Sequence, residues 1–387
     1  MKDSEYTGKA QITSVLNRCV PARFVYAPNY WQWFAHQCNH RLLPGEAAHC
    51  RTQLDLIRHL GLDVFSRNIY SDEQQYWFGG LAEEEWRGIE VHIKDYRENG
   101  DRLIQKIYRT RYGELTERLR YDYKHSTLIQ EKFLIDDYEK QVDALEEIIL
   151  ARHWKFNCAR YKEVQGNTGA DGIVIAGELH SPLKMLHFFA GPVAATYFLT
   201  DYPERSREIL KIHEDAQLDL VRQMANTGVA VVMSMDNLDT MFHPPSYVEK
   251  YSASFYEKAS RICHEYGSVF FIHACGRQRD NLALISSLGV DGLEGAAFPP
   301  LGDIELDEAM RITGDRFIIT GGISAIETRD LTTREQVYGY VKELFKRMKP
   351  YANRFIFSAS CNTSINTNWD TIKYFRDAWL KYGEILY

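Results

Sequence analysis

A chain of 387 residues, 45% hydrophobic and 26% charged, carries enough apolar material for a large buried core. Its 46 Lys and Arg against 53 Asp and Glu give a formal charge of −7, so there is no cationic excess to neutralise phosphates and a nucleic-acid partner is excluded. No apolar run approaches the roughly 20 residues that cross a bilayer. Met1 to Val20 lack an apolar secretory core, so a cytoplasmic protein away from membranes is expected. The 7 Cys, irregularly spaced and without a C-x-x-C, then read as free thiols.

In chain order, residues 1–165 form the less regular part. Tyr30, Trp31, Trp33 and Phe34 crowd more aromatic rings into one stretch than a single buried face absorbs. Tyr30, Trp31 and Trp33 are therefore expected to line a substrate cavity or a partner surface. Tyr108 to Phe133 alternates charged and apolar residues, as a β-hairpin would, and 139–161 reads as helix.

From about residue 170 strands and helices alternate. Strands are expected at 172–176, 229–235, 268–274, 290–294, 317–320 and 355–360, and helices at 203–225, 246–266, 279–288, 305–313, 334–348 and 369–382. Short, continuous apolar strands separated by helices indicate parallel βαβ units. The expected fold is α/β, a TIM (β/α)8 barrel with an N-terminal helical and hairpin elaboration, in a single domain over 1–387. Glu178, Asp236, Asn237, His273, Cys275, Glu294 and Cys361 all fall at or just past strand C-termini, the end on which barrel enzymes carry their active sites.

His273 and Cys275 are two apart at the end of a strand and point the same way. Cys361 ends another apolar strand far along the chain. An imidazole and two thiolates balance the double charge of zinc, and a carboxylate such as Glu294 would hold an exchangeable fourth position. The spacing excludes a zinc finger and suits ligands gathered from barrel strand ends. Walker, G-x-G-x-x-G, H-E-x-x-H and G-x-S-x-G patterns are missing.

The run Asp236-Asn237…His243-Pro244-Pro245-Ser246, then His273-x-Cys275-Gly276, Gly321-Gly322-Ile323 and Cys361-Asn362-Thr363-Ser364, resembles the uroporphyrinogen decarboxylase superfamily. Within it, the His-x-Cys…Cys set is similar to that of the zinc-dependent, corrinoid-linked methyltransferases. The resemblance covers most of the chain, most clearly from about residue 170. It implies a barrel with zinc on His273, Cys275 and Cys361, and places Glu294 where the coenzyme M-dependent branch has a carboxylate that yields to substrate. Ala27 to His36 lacks the Arg-rich motif with which the decarboxylases hold porphyrin carboxylates, which argues against that reaction.

The chain also lacks Asp-x-His-x-x-Gly, so the resemblance implies that cobalamin arrives on a separate corrinoid protein. Methyl transfer from a small donor to the cobalt(I) of that partner is the expected activity, with a methoxyarene suiting the aromatic content. Asp236 or Glu178 would protonate or hydrogen-bond the leaving oxygen, and Asn237, with the N-terminal aromatics, would contact substrate. The alternatives are transfer from a methylated corrinoid to a thiol such as coenzyme M, a metal-free decarboxylase, and a non-catalytic docking subunit.

Overall fold

The computed structural model describes residues 6–69 and 80–385. Two short strands come first, β1 (Val25–Tyr26) and β2 (Val64–Ser66). An elaboration follows: β3 (Ala82–Trp86), β4 (Glu90–Glu98), β5 (Asp101–Thr110), β6 (Gly113–Asp122), β7 (Thr127–Lys132), a helix Tyr138–Ala151, and β8 (Arg152–Phe156). Strands β9 (Gly172–Leu179), β10 (Val231–Met235), β11 (Val269–His273), β12 (Gly292–Ala296), β13 (Ile318–Ile323) and β14 (Phe355–Ala359) then alternate with helices.

The eight parallel strands run in the order β1-β14-β13-β12-β11-β10-β9-β2. Between the two ends of that list, the Asp63 N–H donates to the Tyr26 carbonyl at 3.0 Å, so the sheet is nearly closed into a TIM barrel. Side chains alternate across each strand. The inward set includes Val25, Phe65, Ile175, Met233, Phe271, Ile318 and Ile356, all buried. Helix Gly8–Leu16 adds Ile12, Val15 and Leu16 to this interior. It lies at the N-terminal end of the strands, because a Cβ on Gly8 would meet the backbone of Asp171, just before β9. The barrel floor is thus sealed by side chains, and the surrounding helices pack on the outer faces of the strands.

Every strand expected from residue 170 onward is present, within a few residues. The expected helix 246–266 is two helices, Pro245–Tyr251 and Ala253–Glu265, broken at Ser252. The larger corrections lie earlier. The hairpin is a four-stranded antiparallel meander, β4 to β7. The helix expected over 139–161 contains β8: Arg152-His153-Trp154-Lys155-Phe156 alternates with period two and pairs antiparallel with β3. A second hydrophobic cluster, including Tyr108, Leu145, Ile148, Leu186 and Phe189, joins this elaboration to the helix Pro182–Asp201.

Register sets the mouth of the barrel. Met235 pairs with His273, His273 with Glu294, and Glu294 with Thr320. Directly paired residues of parallel strands share a face, so this row looks inward above the layer of Phe271 and Ile318.

Candidate metal centre

His273 is the last residue of β11, almost completely buried, two positions above the inward-facing Phe271. Its Nδ1 is hydrogen-bonded to the Glu294 carboxylate on the neighbouring strand. The ring's other nitrogen, Nε2, faces Cys361 Sγ at 3.8 Å. Cys275 continues from β11, and the ligand atoms of His273, Cys275 and Cys361 all lie within 4.8 Å of one another. A tetrahedral zinc with bonds of about 2.3 Å to sulfur and 2.0–2.1 Å to nitrogen needs its ligand atoms about 3.5–3.8 Å apart. The group fits such an ion after a small contraction. Among the described residues it is the only group of three His, Cys, Asp or Glu side chains so placed.

The surroundings hold the three side chains in place. Glycine is required at 295, where φ is +103° and a Cβ would lie 3.0 Å from His273 Cε1 and 2.6 Å from the Ser360 carbonyl. Gln278 Nε2 donates to the Cys275 carbonyl at 3.1 Å, and the Cys275 thiol reaches Asn237 Oδ1 at 3.7 Å. Asn237, at φ +49°, donates its own N–H to the His273 carbonyl at 3.0 Å. Asn29 Nδ2 donates to the Cys361 carbonyl and to Asn362 Oδ1, each at 2.9 Å.

Charge is balanced around the centre. Burial alone would raise the Glu294 pKa, but the charges of Arg67, whose Nε is 3.3 Å away, and of His273 hold it down at about 2. The carboxylate is therefore ionised and accepts Nδ1–H, so Nε2 is the nitrogen that the neutral imidazole would present to a metal. A hydrogen bond from the Cys361 thiol lowers the Cys275 pKa, and that same bond to Cys275, with burial, raises the Cys361 pKa. Behind Cys275 stands Lys184, whose pKa burial lowers against the pull of Asp236 and Cys275. Beyond it the rings of His187 and His243 pack 4.7 Å apart.

The structure brings His273, Cys275, Cys361 and Asn237 together. It places Glu294 beneath the imidazole, on the side away from the thiols. The remaining expected residues take other places. Asp236 is fully buried and accepts the Ser181 N–H and the Tyr256 hydroxyl, each at 2.8 Å, which ties the loop after β9 to a helix. Glu178 accepts the N–H groups of Leu81 and Ala82 and anchors the entry to β3. Both carboxylates, expected to serve the leaving oxygen, hold these groups in the structure. Tyr30 and Trp33, 2% and 1% exposed, belong to the core on the outer side of the barrel. Trp33 donates to the Thr367 carbonyl at 2.9 Å and stacks on Trp369, so the expected cavity wall is not built from these two rings. Trp31 opens the helix Trp31–His40 and is partly exposed.

Fold and site together define a (β/α)8 barrel whose mouth holds a buried imidazole and two thiols in metal-binding geometry. Residues 157–382, more than half of the chain, match the uroporphyrinogen decarboxylase family, and the chain belongs to that family. Among curated proteins, none matches the sequence. A methyltransferase from Methanosarcina mazei is similar in fold, with a TM-score of 0.60 and 12% identity over 97% of this chain and 99% of that one. A D-psicose 3-epimerase from Clostridium cellulolyticum H10 is more remote, with a TM-score of 0.37 and 10% identity over 60% of this chain and 85% of that one. No helix among the described residues is long and apolar enough to cross a membrane.

Proposed function

We propose that this protein is a zinc-dependent methyltransferase that moves a methyl group from a methoxylated aromatic to the cobalt(I) of a corrinoid carried by a partner protein. The observation that carries the reading is the convergence of His273 Nε2 with the Cys275 and Cys361 sulfurs at the C-terminal end of the barrel. A zinc ion bound there would supply a Lewis acid for the oxygen that leaves. The fold similarity to the Methanosarcina methyltransferase is in keeping with this reading.

The chain's own residues bind and position. Glu294 and Arg67 keep the imidazole in one tautomer, and Gln278 and Asn29 hold the loops that carry the two thiols. The sealed floor keeps water from entering behind the reacting groups. In that reaction the methyl–oxygen bond would break with its electron pair on the oxygen, which would take a proton from solvent at the mouth, and the partner's corrinoid would supply the electron pair that accepts the methyl group. The rate then depends on in-line placement of donor and cobalt and on stabilisation of the leaving oxygen.

Metal content per chain, measured for the wild type and Cys361→Ser, tests the first half: about one zinc in the wild type and none in the variant is expected. Following the cobalt(I) absorbance with free cob(I)alamin and a panel of methoxyarenes, methanol, methylamines and methyl thiols tests the second. Zinc-free wild-type protein removes the reading and returns the chain to metal-free chemistry of its family. Reaction with methyl thiols alone replaces the methoxyarene by a thiol substrate.

A further inference from the structure

The first two turns of the helix Pro182–Asp201 present two faces. Met185 and Phe189 turn to the accessory strands and join their hydrophobic cluster. Lys184 and His187, three positions apart, share another face. That face looks over the barrel mouth. Ser181, which caps the helix, gives its N–H to Asp236 directly after β10, and the next residue, Asn237, meets the Cys275 thiol. The His187 ring packs 4.7 Å from that of His243, whose own N–H donates to the Asp239 carbonyl at 2.9 Å in the same loop. The Lys184 charge is felt at Cys275, His187 and His243.

Both groups of this face are left without partners. Among the described residues the half-buried Lys184 ammonium makes no hydrogen bond and no ion pair. Asp236, whose charge pulls on it, has its two oxygens taken by Ser181 and Tyr256, and Asp239 is paired with Arg277 at 3.0 Å. His187 is 8% exposed, and its ring makes no hydrogen bond either. The ring nitrogens of His243 are sealed inside the protein, whereas those of His187 and the Lys184 ammonium are not. Polar groups this far from water are rarely left unmatched unless something else meets them.

The chemistry of the pair selects what that is. An ammonium without a counter-ion repels a cationic ligand. A neutral acceptor such as an amide carbonyl would take its hydrogen bond and leave the charge unbalanced in a half-buried place. A carboxylate or sulfonate balances the charge and also accepts the imidazole N–H.

We propose that Lys184 and His187 receive the anionic group of the small-molecule substrate, which in the methoxyarene reading is the carboxylate of a methoxybenzoate whose methoxy end faces the metal centre. His243 holds the His187 ring in place from behind. The fate of the ligand rests on the methyl-transfer reading above; the preference for an anion does not.

Calorimetric titration of the full chain with para-methoxybenzoate and its neutral isostere para-methoxybenzamide gives the test, with 2-mercaptoethanesulfonate and 2-mercaptoethanol as a second pair. The benzoate is expected to bind at least tenfold more tightly than the amide. Lys184→Met, similar in length and without charge, should bring the two to equal affinity. His187→Phe, which keeps a ring against His243, should narrow the preference, with the melting temperature showing that each variant is folded. No preference for either anion, or an unchanged preference in Lys184→Met, overturns the assignment. A preference within the thiol pair alone keeps the receptor and moves the anionic group from a methoxyarene to a thiol substrate. Benzoate binding without methyl transfer to cob(I)alamin sinks the methyl-transfer reading alone. Transfer with an unaltered KM for the benzoate in Lys184→Met sinks the receptor alone.

Discussion

Replacing Glu294 by Gln separates a metal ligand from a residue that supports one. The amide is the same size and can still accept the His273 Nδ1–H, but it carries no charge. Two consequences follow from the geometry. First, Arg67 and Glu294 are only 6% and 7% exposed, and Arg67 Nε is 3.3 Å from the carboxylate oxygen. At that distance and an effective dielectric of about 20, the lost attraction is about 5 kcal/mol. Breaking such a buried pair costs a net 3–5 kcal/mol, roughly 4–6 °C in melting temperature for a chain of this length. Second, the imidazole loses the charge that makes it a better ligand, which weakens metal binding about 10–100-fold. Chelator competition for zinc and thermal melting of the metal-free protein measure the two effects. Arg67→Met combined with Glu294→Gln should recover most of the stability and none of the affinity. If Glu294→Gln loses zinc as completely as Cys361→Ser, the carboxylate is itself a ligand and the supporting role is wrong. If the double variant melts no higher than the single one, the two charges are not coupled.

Gly295→Ala should leave a folded protein that binds zinc poorly, since the new methyl meets the His273 ring at 3.0 Å and the carbonyl just before Cys361; wild-type zinc stoichiometry would show that this packing is slack. Asn29→Ala removes the hydrogen bonds to Cys361 and Asn362 and should weaken zinc binding severalfold with little change in melting temperature; an unchanged affinity would mean that the loop holds itself. Burial, with the nearby Lys184 charge, lowers the pKa of His187 to about 4, and burial, with His187, lowers His243 to about 3. Both are neutral in the folded protein, whereas the unfolded chain takes up protons below about pH 6.5. Their contribution is complete above that pH and is lost as pH falls toward 4 and 3, about 2 kcal/mol for each by pH 5. The melting temperature should drop between pH 7 and 5, and less steeply in His243→Phe; equal slopes would refute the assignment.

From residue 170 onward the barrel could be read almost strand by strand, because parallel strands buried on both faces are continuous apolar runs separated by helical stretches. The ligands could be read for a related reason: His273, Cys275 and Cys361 are polar residues directly after such runs. The same rule applies to Asn29 after β1 and Arg67 after β2, and both reach the metal centre. They stayed hidden because those strands are two and three residues long, too short for periodicity to detect. The partners of Asp236 and Glu178 were illegible for another reason. A carboxylate at a strand end is chemically the same whether it meets substrate or the backbone N–H of Leu81 and Ala82, and only long-range packing decides. Trp33 is core and not cavity wall because Trp369 and Thr367 provide it with a second buried face, which adjacent sequence does not show.

The stopper that helix Gly8–Leu16 makes beneath Phe65 and Phe271 also bears on the order of events. A cleft with one door admits its visitors in sequence. Under the methyl-transfer reading, the donor has to be seated before a cobalt-bearing protein covers the entrance, and the demethylated product waits until that protein departs. Steady-state kinetics should then be compulsory-order, with excess corrinoid partner trapping the product and inhibiting turnover. Random-order kinetics would mean that the barrel has a second way in.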